Sequence, residues 1–225
     1  MDVLEAINKR QSIRAFKPDP VPADTLRKIL EGALRSPSGS NTQPWELAVV
    51  TGAKLSEIKE ACVASVTGQL EPDLPWAMRY PEPWNSRGVA VMAGILSHMG
   101  IAREDKKRRL EFGIEAQRLW GAPAVIYIMI DRAFYTCINP PTVAPVFDCG
   151  LITQDILLLA TQYGIGSIPA LQPVLFPRIL REKLGLPDNK LFVIAVSLGY
   201  PDPDNKVNHF RTTREPFEKT VTFYA

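Results

Sequence analysis

Residues 35–45, RSPSGSNTQPW, hold three serines, a glycine, an asparagine, a threonine, a glutamine and two prolines, and end on a tryptophan. The segments on either side decide the fold. On the N-terminal side, Leu26, Ile29, Leu30, Ala33 and Leu34 follow the i, i+3, i+4, i+7, i+8 spacing of an amphipathic helix. Pro22 suits the first turn of that helix, and Ser36-Pro37 ends it. On the C-terminal side, residues 45–50, WELAVV, read as a strand. The stretch is thus a polar connection from a helix to a strand. It carries more side-chain donors and acceptors than a turn needs, and Gly39 permits close backbone approach.

The same reading extends in both directions. Asp2 can cap a helix to about Arg10, and Thr51 one to about Val66. Residues 89–98 and 103–120 read as helices, and 123–130 as a strand with both faces buried, hence central. A long helix over 146–163 presents Gly150, Leu151, Leu157, Leu158 and Ala160. A short strand at 165–168, a helix at 176–183 and a buried strand at 191–198 follow. Helices outnumber strands, so the expected class is α+β, a central mixed β-sheet flanked by helices. No repeat or linker interrupts the chain, which reads as one domain over 1–225 with a lid-like insertion at about 68–88. That insertion packs four prolines among Trp76, Tyr80 and Trp84, the composition of a binding loop or lid. From Gly199 the chain is polar and proline-punctuated, an extended arm.

Composition excludes several classes. A net charge of +2 with 22% charged residues lacks the basic excess of a nucleic-acid binder. The longest apolar stretch, LWGAPAVIYIMI, is too short for a bilayer, and MDVLEAINKR has no apolar core of a signal peptide. Three widely spaced cysteines offer neither a disulfide framework nor metal-ligand spacing, so no metal and a cytoplasmic location are expected. GIGSIP, 164–169, has Pro169 where a dinucleotide fingerprint has its last glycine, and neither His98 nor His209 falls in a triad motif. A chain without its own acid, base or nucleophile either only binds or borrows its chemistry from a cofactor.

Three polar clusters remain. Arg10, Gln11, Ser12 and Arg14 follow the first helix, and guanidinium groups bind phosphate through paired charge-assisted bonds. The second cluster is the 35–45 stretch. The third is NHFRTTREP, 208–216, with Arg211 and Arg214 three apart. Taken in order, R-x-S-x-R-x-F at 10–16, S-P-S-G-x-N-x-Q-P-W at 36–45, G-I-G-x-x-P at 164–169 and N-x-F-R-x-x-R-x-P at 208–216 resemble the FMN-dependent nitroreductase family. The insertion WAMRYPEPWNSRG is similar to the lid region of its nitrobenzoate reductase-like branch.

The resemblance implies a nitroreductase-type fold in an interlocked homodimer, with long helices packed together, terminal arms exchanged and FMN at the interface. Arg10, Arg214 and Arg211 would hold the phosphate, with Gln11 and Ser12 beside it. Arg14 would face the pyrimidine edge of the flavin. Pro37, Ser38, Gly39, Ser40, Asn41 and Gln43 would come from the partner subunit, and Pro169, Ala170, Leu171 and Gln172 would run along the ring near N5. Many relatives carry Glu-Gly where Leu171-Gln172 stands, so no carboxylate role carries over. NADH or NADPH would be the co-substrate, in ping-pong with a small aromatic or quinone-like acceptor. Trp76, Tyr80 and Trp84 would cover that acceptor, and Arg79 or Arg87 could meet an acidic group on it. Activated-alkene reduction, dehalogenation and flavin binding without turnover are the alternatives on the same fold.

Overall fold

The computed structural model describes residues 1–66, 68, 70–75, 79–137 and 142–224. Helix α1 (Val3–Lys9) starts at Asp2, whose carboxylate accepts from the Glu5 amide at 2.8 Å. Helix α2 (Ala23–Ala33) buries Leu26, Ile29 and Ala33, the stripe expected from spacing. Strand β1 (Glu46–Thr51) leads into α3 (Gly52–Ala64), without a side-chain cap from Thr51. Then come α4 (Trp84–His98), α5 (Lys106–Gln117), β2 (Ala124–Asp131), the short α6 (Ala133–Thr136), α7 (Ala144–Gln162), β3 (Gly166–Ala170), α8 (Pro177–Leu184), β4 (Lys190–Gly199) and the short α9 (Phe217–Thr220).

The strands form one sheet in the order β1-β2-β4-β3, with β2 and β4 inside. Each face of β2 is buried, as the unbroken apolar run required. Ile126, Ile128 and Ile130 join Val196 and Leu198 beneath α2 and α7. Val125, Tyr127 and Met129 join Phe192 and Ala195 beneath α3 and α8, with the Tyr127 and Phe192 rings edge to face at 5.8 Å.

Four features depart from the sequence reading. All neighbouring strands run antiparallel rather than mixed, and the parallel pairing among the described residues is an isolated bridge between Ser12 and Ser167. Strand direction is set by the long helical excursions, which period-2 patterning does not encode. Helix α4 begins at Trp84, inside the proline-rich stretch read as irregular, because Pro83 stands at its N-cap, where a proline obstructs nothing. The helix expected over 103–120 is shorter at both ends. Asp105 caps α5 by accepting from the Arg108 amide, and Leu119, Trp120 and Gly121 take left-handed φ values of 56°, 52° and 80°. Finally, α7 is long and apolar enough to cross a bilayer by length and composition alone. It is instead the central helix of the fold, packed on α1, α2 and the sheet.

Part of the proline-rich insertion is anchored. Asp73 receives the Arg181 guanidinium through two bonds of 2.8 and 3.0 Å and also accepts from the Phe192 amide at 3.0 Å.

Candidate active site

The segment after α1 is stitched to the far edge of the sheet. Ile13 donates its amide to the Ser167 carbonyl at 3.0 Å, and Lys17 donates to Tyr200 at 2.9 Å. This approach requires Gly166, since a Cβ there would lie 2.8 Å from Ile13 Cγ1 and 2.7 Å from Pro201 Cγ. The other end of the chain closes the same knot. Asn208 is buried; its Oδ1 accepts from the Arg14 amide at 2.8 Å. Its Nδ2 donates to the carbonyls of Ala15 at 2.8 Å and Asp202 at 2.9 Å. Asn208 opens the C-terminal motif, yet its observed work is to clamp the two termini together.

Beyond that clamp, Arg10 lies within electrostatic reach of Arg214. Burial lowers the Arg10 pKa most, and the like charge of Arg214 lowers it further. Neither guanidinium forms an ion pair among the described residues. Arg214 Nη1 donates to Thr212 Oγ1 at 2.9 Å and to the Thr213 carbonyl at 3.0 Å. Arg211 turns to the backbone instead, donating to the carbonyls of Asn208 and Phe210 at 2.8 and 3.2 Å. The neighbouring Gln11 Oε1 is buried with no partner. Two interacting cations that form no ion pair among the described residues are an arrangement that can take an anion.

Four residues on from Arg10, Arg14 lines a cavity of about 810 Å³. Arg14 and the run Pro169–Gln172 share its wall, so two of the clusters read from sequence are brought together. Burial lowers the Arg14 pKa. The rest of the wall was not foreseen: Met92 and Leu96 of α4, the face of α5 bearing Arg109, Leu110, Phe112, Gly113 and Ala116, and the corner residue Trp120. The Trp120 indole nitrogen is buried with no partner. Left-handed backbone at a bulky residue costs energy and persists where its surroundings demand it.

Within one chain, Pro37, Ser38, Gly39, Ser40, Asn41 and Gln43 do not line this cavity. They form a separate, largely exposed loop held by α7. The Gly39 amide donates to both Asp148 carboxylate oxygens at 3.3 and 3.2 Å, and Ser36 Oγ donates to the Asp155 carboxylate. Gln43 donates its amide to Ser38 Oγ at 2.9 Å, and Ser40, Asn41 and Gln43 have φ values of 50°, 57° and 46°. Of the aromatic lid residues, Trp76 lies outside the described residues. Tyr80 and Trp84 are each 56% exposed and do not line the cavity. Arg87 pairs with Glu215 at 3.1 Å, which fastens the C-terminal arm to α4 rather than offering a charge to a substrate.

Over residues 7–200, which take in the end of α1, the whole sheet and the cavity wall, the sequence matches the model of the Nitroreductase family. The chain belongs to the nitroreductase family. It is 31% identical over 219 residues to the nitroreductase NfnB of Mycolicibacterium smegmatis, covering 96% of this chain and 90% of that one. It is 27% identical over 230 residues to a 4-nitrobenzoate reductase of a Nocardioides species, covering 99% and 90%. The crystal structure of the FMN-dependent nitroreductase NfnB from Mycobacterium smegmatis in complex with NADPH superposes with a TM-score of 0.90 at 29% identity, covering 100% of both chains. The nitroreductase fold expected from the four motifs is therefore the fold observed. What those motifs missed is the α4–α5 wall. The spacing of Arg109, Gly113, Ala116 and Trp120 marks a helix face with small residues at its centre, a signal masked by the charge run REDKKRR.

Proposed function

We propose that the chain is an NAD(P)H-dependent FMN oxidoreductase that reduces nitroaromatic compounds, working as a homodimer. One observation carries the reading: Arg10, which interacts with Arg214 and forms no ion pair among the described residues, stands four residues before Arg14, which walls a cavity together with Pro169–Gln172, in a chain related to NfnB along nearly its whole length. The residues fit the cofactor. A phosphomonoester brings roughly −1.5 to −2 charges at pH 7, which the facing guanidiniums lack. The orphaned Gln11 Oε1 is an acceptor for a ribityl hydroxyl.

When bound, FMN supplies two-electron hydride chemistry, taking hydride from the nicotinamide and passing it to the acceptor. The chain supplies the setting. Arg10 and Arg214 would hold the phosphate, with Ser12 beside them, and Arg211 would stiffen the arm that delivers Arg214. Half-buried Arg14 would keep positive charge at the pyrimidine edge, where a fixed cation favours the reduced form. Backbone at Pro169–Gln172 would border the ring, while Met92, Leu96 and Trp120 exclude water. A cavity of about 810 Å³ lies toward the upper end of small-molecule sites, with room for a second flat molecule, which favours turnover over storage.

The case for a homodimer rests on uncovered apolar surface. Val3 and Leu4 of α1 are 72% and 68% exposed, and Val143 and Phe147 at the start of α7 are 81% and 66% exposed. An apolar groove of about 740 Å³ follows α7 and reaches Pro169 and Leu171, which also border the cavity. A second copy seated in that groove would arrive at the cofactor site. Its 37–43 loop, fastened to its own α7, would travel with it. The buried, unpaired Cys62 and Cys149 suit a reducing compartment such as the cytoplasm.

The test uses the purified protein. FMN should remain bound through gel filtration, and NADPH consumption should depend on an added nitroaromatic. Protein that takes up no FMN would overturn the proposal; bound FMN that NADPH never reduces would remove the enzymatic part.

A further inference from the structure

We propose that Arg109 selects the acceptor, pairing with a carboxylate on a flat nitroaromatic that lies along the α5 face of the cavity. This rests on the FMN-dependent reading above and names the substrate class for the same site. The cavity wall contains two cations, Arg14 and Arg109, and no acidic residue. Arg14 is committed to the cofactor side. Among the described residues Arg109 forms no ion pair; Lys106 and Lys107 form none either but line neither cavity, and the other two nearby arginines are engaged. Arg108 Nη1 donates to the Gly100 carbonyl at 3.0 Å, and Arg118 pairs with Glu115 at 2.7 Å.

Arg109, Gly113 and Ala116 stand at i, i+4 and i+7, one helix face about 10 Å long at a rise of 1.5 Å per residue. Its centre is bare: a Cβ built on Gly113 would meet nothing within 4 Å. Opposite that gap stand Met92 and Leu96 of α4, both apolar. The space therefore fits a thin aromatic body with one anionic end. Arg109 also lines an adjoining cavity of about 590 Å³ that contains Arg103, so the approach is positive as well. Such a field draws in anions, and a guanidinium binds carboxylate through paired bonds. Arg109 is exposed in the single chain, where an ion pair is worth little unless the bound ligand and its surroundings screen it from water, and that difference makes the inference testable.

The experiment titrates oxidised, FMN-loaded protein with 4-nitrobenzoate and with its neutral amide, reading the perturbation of the flavin spectrum. The affinity ratio, acid over amide, should fall about tenfold in Arg109→Gln and recover in part in Arg109→Lys. Raising the ionic strength should shrink the ratio in the unmodified protein. Gly113→Leu should weaken both ligands by filling the space. An unchanged ratio in Arg109→Gln overturns the proposal. So does a loss confined to NADPH affinity, which would assign Arg109 to the nucleotide. These failures differ from failure of the parent reading, in which no FMN is taken up or no nitroaromatic, charged or neutral, reoxidises the reduced flavin.

Discussion

Arg10 and Arg214 carry the sharpest residue-level expectation, because their like charges interact and neither forms an ion pair among the described residues. Replacing either with alanine should weaken FMN binding by about tenfold or more, measured by fluorescence titration. The FMN-free protein should melt no lower than before, since a repulsion has been relieved. Opposite responses of the two measurements mark a ligand site; a loss in both marks a structural pair. FMN affinity should also fall as pH drops through about 6, where the phosphate loses its second charge. The cysteines titrate at the other extreme. Burial pushes the Cys62 thiol up to about 11 and the Cys149 thiol up to about 12 from an ordinary 9.0. The folded chain keeps both protons after the unfolded chain has released them. Their contribution to stability is thus complete below pH 9 and lost as pH rises toward 11 and 12. A thiol reagent at pH 8 should label exposed Cys137 and spare the other two until the protein is denatured.

Two connections decide how the elements hold the site. Gly166 lets the 12–14 segment lie against β3, so Gly166→Ala must push Ile13 or Pro201 aside. A loss of about 1–3 kcal/mol in urea denaturation, with weaker FMN binding, is expected. The Asp73–Arg181 pair ties the proline-rich insertion to α8 and β4, and both side chains are largely buried. Asp73→Ala should cost about 3 kcal/mol, because it strands the guanidinium; adding Arg181→Met should restore much of that loss. Much at this scale was legible in advance. The α2 stripe, the doubly buried β2 and the long α7 follow from periodicity, which reports how many faces of an element meet the core. Strand direction was not legible, because it depends on excursions rather than on local pattern. The start of α4 was hidden because Pro81 and Pro83 signal a turn and a helix entry equally well. The α5 end was hidden because neither Leu119 nor Trp120 has any local preference for left-handed backbone.

At the scale of the whole molecule, the proposed homodimer would cover the exposed apolar surface of α1 and α7. Phe147→Asp puts a charge in the middle of that surface and should shift the protein from dimer to monomer in sedimentation velocity. FMN should be lost along with the partner, since the 37–43 loop does not reach the cavity of its own chain. The sequence displayed this loop as an excess of hydrogen-bonding groups. The residues alone did not say whose cavity they would serve; only the family resemblance pointed to the partner subunit. Arg109 was hidden for a related reason: in sequence it is one cation in a basic run, and only its place on the wall of the cavity between α4 and α5 separates it from Arg108.

Asn208 joins residues near the start of the chain to residues near its end, and Arg214 lies six positions further on. During synthesis, then, the proposed anion site stays incomplete until Arg214 has left the ribosome. A nascent chain halted before that point has every strand of the sheet but only one guanidinium of the proposed pair. Chains truncated there are expected to stay colourless.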